Sequence, residues 1–250
     1  MKEHLYKYII GISDNCLILG QRLGELCGHG PNLETDIACT NLSLDLLGQV
    51  RSYYQYASHS LNDDRTEDDV AFLRKESEYL NVLLVEQPNT DFAYVIGRQF
   101  LFDVYHYLFL NGLQHSRDIT LSAIAKKSIK EVSYHVRFSS DWLKRLGDGT
   151  AESHEKMQNA IDNLWTYTDE LFHMTDSDME MLKKGVAVNT RMLKPDYLKR
   201  VTEILNEATL KIPESKYFQK GGKMGRHSEH MGYILSDLQY MQRTYPNMKW

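Results

Sequence analysis

The chain has 250 residues, enough for one large domain with a well-buried core. Hydrophobic residues make up 42% and charged residues 25%, as in ordinary globular proteins, and the formal net charge at pH 7 is -5. A chain of this charge lacks the basic footprint that binding to phosphates requires, so we exclude nucleic acid as a partner. We expect no signal peptide, because Asp14-Asn15 interrupts the apolar run near the N-terminus and no small-residue cleavage site follows. We also expect no membrane span, because no stretch approaches about 20 apolar residues.

The cysteine content indicates a reducing compartment. Cys16, Cys27 and Cys39 are odd in number and form no Cys-x-x-Cys pair, so they build neither a disulfide framework nor a zinc site. We therefore place the chain in the cytoplasm and interpret the three cysteines as small core residues.

The spacing of the apolar residues predicts an all-α chain with additional helices towards the C-terminus. The predicted helices lie near 3–27, 34–60, 66–81, 90–115, 118–146, 151–173, 195–208 and 228–244. Turns are predicted at Asp63-Asp64 and at 147–149, and an irregular stretch is predicted near 174–194. The tail from about Tyr217 to Trp250 contains an amphipathic helix, for which Ser228 is the predicted N-cap, and we expect this tail to pack against the protein or a partner. Four helices of about 25 residues or more are typical of a helical bundle.

Each of the four long helices places a carboxylate on or beside its apolar seam. These carboxylates are Glu25, Asp45, Asp103 and Glu131, and His135 follows Glu131 on the same predicted stripe. A buried carboxylate is unfavourable unless it is paired, hydrogen-bonded or bound to a metal. Two interpretations stay open: a structural polar network with Arg51, Arg98 or Arg137 as partner, or a metal site.

A di-iron bundle needs a Glu from each of two helices and a Glu-x-x-His pair from each of the other two. The residues three positions before Gln49 and His135 are Leu46 and Val132, which cannot bind a cation. The pattern therefore predicts a di-iron scaffold without its metal. No nucleophile elbow, phosphate-binding loop or dinucleotide fingerprint offers another chemistry.

The chain also contains sixteen tyrosines, and the cluster Tyr53, Tyr54 and Tyr56 covers more than one helix face, which predicts an interface.

Several segments along the whole chain resemble the PaaC-type subunit of the ring-1,2-phenylacetyl-CoA epoxidase, a multicomponent monooxygenase of phenylacetate degradation. These segments are Gly11 to Leu19, Gln21 to Glu25, Leu44 to Gln49, Leu83 to Asn89, Lys130-Glu131 with Tyr134-His135, Asn206 to Leu210, Gly221 to Lys223, and Trp250.

The resemblance implies one ferritin-like helical domain over 1–250 that pairs with a PaaA-type di-iron catalytic subunit and with other components of the complex. Against the ligand pattern of that paralogue, Glu25, Asp103 and His135 fall on ligand positions. Leu46, Gln49 and Val132 fall on the other three. The implied function is a non-catalytic structural subunit, with no cofactor in this chain and the di-iron centre in its partner.

Two alternatives remain. One is a di-iron oxygenase in its own right, with an unusual ligand set drawn from the five vestigial positions Glu25, Asp45, Asp103, Glu131 and His135. The other is a ferritin-like storage protein, which is the weakest because ferroxidase ligands would have to be present.

Overall fold

The computed structural model describes residues 2–61, 65–215, 217–246 and 248, and this part of the chain is all-α without strands. Its α-helices are α1 (Lys2–Glu25), α2 (Leu33–Leu61), α3 (Glu67–Phe72), α4 (Phe92–Leu113), α5 (Ile119–Gly147), α6 (Ala151–Trp165), α7 (Asp176–Lys183), α8 (Lys194–Glu207) and α9 (Glu229–Thr244). None of these helices is long and apolar enough to cross a membrane. The predicted all-α fold class is confirmed. The turn predicted at Asp63-Asp64 and the terminal Trp250 lie outside the described residues.

The chain forms two compact units. Unit 1 comprises 1–86, 175–181 and 221–250, and unit 2 comprises 87–174 and 182–220. The prediction of a single ferritin-like domain over 1–250 stays a prediction.

The long helices match their predicted bounds within about two residues, but the predicted helix 66–81 is wrong in its second half. The α-helix ends at Phe72, and a short 3-10 turn at Glu76–Glu78 follows. Polar side chains donate hydrogen bonds to the carbonyl groups at the helix end. Arg74 Nε donates to Val70 O at 2.6 Å, and Tyr79 Oη donates to Ala71 O at 2.6 Å. These bonds satisfy the last carbonyls without another helical turn.

The predictions for 151–173 and 174–194 are also wrong in part. The α-helix α6 stops at Trp165, whose carbonyl accepts a hydrogen bond from Thr168 Oγ1 at 2.8 Å, and a 3-10 turn follows at Asp169–Phe172. The stretch expected to be irregular contains α7. Thr175 and Asp178 cap this helix reciprocally, each accepting the other's backbone N–H. This Thr-x-x-Asp signal is visible in the sequence and identifies the helix start.

In unit 1, α1 and α2 form an antiparallel helical hairpin. Ser43 Oγ donates to Gly20 O at 2.7 Å, and Ser13 contacts the far half of α2 by donating to Val50 O at 3.5 Å. A short connection leads into α2, and the Asn32 side chain accepts the Thr35 N–H at 2.9 Å and so begins the helix.

A buried salt bridge joins this hairpin to the segment that follows it. Both oxygens of Asp14 accept hydrogen bonds from the Arg74 guanidinium, at 2.6 and 2.9 Å, and Leu80 N donates to the same carboxylate at 2.7 Å. Tyr54 Oη also donates to Asp14, and the guanidinium lies 3.9 Å from the Tyr79 ring centroid. Asp14 has no solvent exposure, so its charge is balanced entirely by protein groups.

A second buried carboxylate, Glu86, connects the end of this segment to the residues before α9. Its two oxygens accept hydrogen bonds from Asn81 Nδ2 at 2.8 Å and from the Ser228 N–H and hydroxyl at 2.8 and 2.6 Å. His227 Nδ1 lies 2.6 Å from Glu86 Oε1, and its Nε2 lies 2.9 Å from Tyr79 O.

Both ring nitrogens of His227 face acceptors, which favours the doubly protonated imidazolium. Burial alone lowers the pKa of His227, but the hydrogen bond and charge of Glu86 outweigh burial and raise it. Ser228 is the N-cap residue of α9, as predicted, yet its side chain makes no capping bond because its hydroxyl donates to Glu86.

The glycines before α9 allow the close approach that this arrangement needs. A Cβ on Gly222 would lie 2.1 Å from Asn81 O, and one on Gly225 would lie 2.2 Å from Ser77 O. Helix α9 then packs on unit 1 through apolar residues that include Met231 and Ile234. The expected docking of the tail is confirmed for this helix.

In unit 2, α4 and α5 form a second antiparallel hairpin, against which α6 and α8 pack. Asp91 caps α4 by accepting the Tyr94 N–H at 2.8 Å, and Asp118 caps α5 by accepting the Leu121 N–H at 3.0 Å. Helix α4 is buried on nearly all sides, so it forms the centre of this unit.

Asp14→Asn should destabilise the chain by about 3–5 kcal/mol, because it leaves the buried Arg74 guanidinium without its counter-charge. Urea unfolding followed by far-ultraviolet circular dichroism measures this change. Glu152→Gln is the control, since it breaks an exposed ion pair with Lys156 and should leave the unfolding midpoint unchanged. Equal midpoints for the two variants would contradict the assigned role of Asp14.

Candidate functional site

The structure distributes the five sequence-predicted positions between the two units. Glu25 and Asp45 belong to unit 1, whereas Asp103, Glu131 and His135 belong to unit 2. Asp103 and His135 are fully buried. Asp45 and Glu131 are only partly buried, and Glu25 lies on the exposed end of α1, where it pairs with Arg22 Nη1 at 2.8 Å.

The buried faces of α2 and α5 lie one residue away from the carboxylates that the sequence placed on them. Leu46 and Val132 are completely buried, whereas the preceding Asp45 and Glu131 are not. The predicted inward positions of Asp45 and Glu131 are therefore wrong, although that of His135 is right. The error arises because two sets of residues, shifted by one position along the helix, can both match the 4-3 spacing of a core-facing stripe. The spacing alone then does not decide which set faces the core.

Asp103 is the centre of a buried polar cluster in unit 2. Gln99 Nε2 donates to Asp103 Oδ1 at 2.7 Å, and Ser139 Oγ donates to Oδ2 at 2.8 Å. The rings of His135 and His106 lie near this group and are also buried. Protein donors thus occupy both oxygens of the carboxylate.

Burial shifts the pKa values of two groups in this cluster in the direction that favours their neutral forms. Burial raises the pKa of Asp103 to about 7, although His135 and the hydrogen bonds from Ser139 and Gln99 lower it. Burial, together with the neighbouring His135, lowers the pKa of His106 to about 3. His106 is buried and packs against Phe102, with 5.2 Å between the two ring centroids.

The donor set of this cluster does not fit a pair of iron ions. Two irons held close together need several anionic ligands, and Asp103 is the only carboxylate among the described contacts of the cluster. Among residues 2–61, 65–215, 217–246 and 248, no group of three or more His, Cys, Asp or Glu side chains is placed to hold a metal ion. Leu46 and Val132 supply no donor atom at all.

The arginines considered as partners for the carboxylates have other described contacts. Arg51 lies 3.9 Å from Glu67, Arg98 donates to the Asn89 side chain at 2.7 Å, and the Arg137 guanidinium covers the Tyr134 ring. Tyr53 and Tyr54 are fully buried, so the interface expected from the tyrosine cluster is wrong for these two residues, whereas Tyr56 is half-buried and its part stays a prediction.

The sequence reasoning missed Gln99 and Ser139, the residues that hold Asp103. Both are indicated by helical spacing, because Gln99 is four residues before Asp103 and Ser139 is four residues after His135. Glu86 was also missed as a structural residue, and no helix-period signal in the sequence links it to His227.

Comparison with known proteins gives the chain a family. Residues 1–250 match the family described as phenylacetic acid catabolic protein. This chain belongs to that family. It is similar to the C subunit of the 1,2-phenylacetyl-CoA epoxidase of Escherichia coli (strain K12), with 47% identity over 248 residues, which cover 99% of this chain and all of that protein.

In this member of the phenylacetic acid catabolic protein family, three of the segments that carried the resemblance have structural roles in unit 1. Gly11 to Leu19 contains Asp14, and Leu83 to Asn89 contains Glu86. Gly221 to Lys223 contains the close approach at Gly222. These segments therefore hold the buried ion pair and the carboxylate network of that unit.

Asp103→Asn should increase the free energy of unfolding by about 1–3 kcal/mol near pH 8. The pKa of Asp103 in the folded chain, about 7, exceeds its ordinary value of 3.8, so the carboxylate destabilises the fold increasingly as the pH rises between these values and fully above them. The gain should disappear near pH 4.

Urea denaturation across this pH range measures the difference. Asp141→Asn, which removes an exposed carboxylate from α5, is the matched control for the loss of one negative charge. A gain that does not depend on pH, or the same gain from Asp141→Asn, would contradict the effect of burial.

Proposed function

We propose that this chain is a non-catalytic structural subunit of a multicomponent 1,2-phenylacetyl-CoA epoxidase in aerobic phenylacetate catabolism. In this role it pairs with and stabilises a PaaA-type subunit that carries the di-iron centre. The family and the name of the Escherichia coli relative support a place in such a complex. Because that relative is named as one subunit of an epoxidase, further subunits are implied as partners.

The observation that carries the non-catalytic role is the burial of Leu46 and Val132. Both have no solvent exposure, and both fall on positions where the resemblance expects the carboxylates of Glu-x-x-His pairs. An apolar side chain at such a position removes an anionic ligand and fills its space with packed hydrocarbon. The remaining groups, Asp103 and His135, have too little negative charge for two iron ions.

The competing hypothesis of a di-iron oxygenase requires ligands from Glu25, Asp45 and Glu131. The ion pair of Glu25 with Arg22 and the partial exposure of all three side chains disfavour that ligand set. No observation on this chain favours storage. Cys16 and Cys39 are buried as expected, but Cys27 is exposed, so the interpretation of all three as core residues is wrong for Cys27. The three free thiols support the cytoplasm as the working compartment.

Co-expression with the di-iron subunit tests both halves of the proposal. We expect the two chains to co-purify, and the di-iron subunit to lose solubility and epoxidase activity when expressed without this chain. The physical reason is that a structural partner contributes binding free energy only to the folded form of the protein that it binds.

Substitutions within the co-expressed complex then separate support from catalysis. His135→Gln in this chain, checked for folding by circular dichroism, should leave the epoxidation rate of the complex within about twofold. Replacement of an iron-ligating His in the catalytic subunit should reduce that rate by roughly a hundredfold or more. A comparable loss from His135→Gln in a folded, assembled complex would favour the competing hypothesis.

A further inference from the structure

The exposed face of α5 carries an unusual concentration of positive charge. The helix contains six Lys and Arg residues against two acidic residues, in a chain whose net charge is -5. Five of the cations are exposed and are called the cationic strip here. They are Lys126, Lys127, Lys130, Arg137 and Arg145.

The members of the cationic strip share one side of the helix. At 100° per residue they fall within an arc of about 100°, centred near Lys130 and Tyr134. Asp141 is the exposed acidic residue within that arc. The strip runs from Lys126 to Arg145, which corresponds to about 28 Å of helix.

An ordinary solvated helix face balances such charges with acidic residues one turn away. This chain does so elsewhere, since Lys7 pairs with Glu3 at 2.7 Å and Lys156 pairs with Glu152 at 2.6 Å. The cationic strip is balanced only in part in this way. Asp141 lies four residues from both Arg137 and Arg145, and the half-buried Glu131 lies four residues after Lys127, whereas Lys126 and Lys130 are like charges four residues apart. Such a pair destabilises a helix by about 0.2–0.5 kcal/mol, so the pattern opposes the stability of the isolated helix.

Aromatic rings hold the two arginines of the strip in position. The Arg137 guanidinium lies 5.5 Å from the Tyr134 ring centroid, and the Arg145 guanidinium lies 5.4 Å from that of Trp142. Arginines stacked in this way lose less conformational freedom when they bind a carboxylate. Arginine, tyrosine and tryptophan are also the residues enriched in protein interfaces.

We propose that the cationic strip of α5 docks against an acidic surface of another subunit of the epoxidase complex, an inference that rests on the proposed function. The length of the strip favours a protein over a small anion. Lys130 and Arg137 are separated by about 10 Å along the helix, and Arg137 and Arg145 by about 12 Å, so one phosphate or carboxylate group cannot span the strip. The negative charge of the whole chain disfavours nucleic acid.

Carbodiimide cross-linking of the assembled complex tests this docking directly, since it joins an ammonium group to a carboxylate that it contacts. The full chain is combined with the other subunits, and the products are mapped by mass spectrometry. We expect Lys126, Lys127 or Lys130 to be joined to Asp or Glu residues of another subunit. Lys199 and Lys211, which are also exposed in unit 2, should give no such product.

Charge reversal provides a second measurement. The strip variant combines Lys127→Glu, Lys130→Glu and Arg137→Glu. The control variant combines Arg191→Glu, Lys199→Glu and Lys211→Glu, which are exposed and give the same change of net charge. We expect the strip variant to bind the other subunits at least about tenfold more weakly at low salt, with a difference that shrinks as ionic strength rises. The control should change binding by less than about threefold.

Three results would overturn the inference: absence of these cross-links, equal effects of the two variants, or binding of a DNA duplex or of anionic lipid vesicles through the strip while subunit binding is unaffected. If the strip variant does not fold, the cross-linking of the unmodified chain decides. Co-purification distinguishes the two proposals. A complex that assembles without cross-links to the strip refutes this inference alone, whereas a chain that does not assemble with the other subunits refutes the proposed function as well.

Discussion

The free energy needed to remove a carboxylate from water is the constraint on which this structure depends. Such a group is tolerated in a protein core only when cations, hydrogen-bond donors, a proton or a metal ion compensate it. Three fully buried carboxylates show how this chain meets the requirement. Asp14 is held by Arg74, Glu86 by His227 with Ser228 and Asn81, and Asp103 by Gln99 and Ser139.

The first two of these networks organise unit 1. They attach the irregular segment after α3 and the glycine-rich lead into α9 to the α1–α2 hairpin, and they act together with the buried apolar residues of that segment, which include Tyr79, Val82 and Leu84. The third network has a different character. Asp103 has no salt-bridged cation among its described contacts, and burial raises its pKa to about 7, so its neutral form is favoured far more than that of an exposed Asp. A carboxylate held by neutral hydrogen-bond donors fits a structural core better than an iron-binding one.

Particular residues show how far the sequence could be interpreted. The long helices and the inward positions of Asp103 and His135 were predictable, because helical periodicity persists over many turns. The sequence did not decide whether Asp45 or Leu46, or Glu131 or Val132, faces the core, since adjacent residues differ by only 100° around a helix. The end of α3 was also not predictable, because it is determined by hydrogen bonds from the side chains of Arg74 and Tyr79 to backbone carbonyls. The pairing of Glu86 with His227 joins residues 141 positions apart and has no local signature.

The proposed scaffold role depends on one claim, that the core of this chain retains no di-iron centre. The most direct measurement is elemental analysis of the chain, purified from cells grown in iron-supplemented medium, both alone and with its catalytic partner. The account predicts that the chain alone retains no stoichiometric iron and that the complex contains two irons per catalytic subunit. Two irons per copy of the isolated chain, with the absorption of a bridged iron pair, would contradict it.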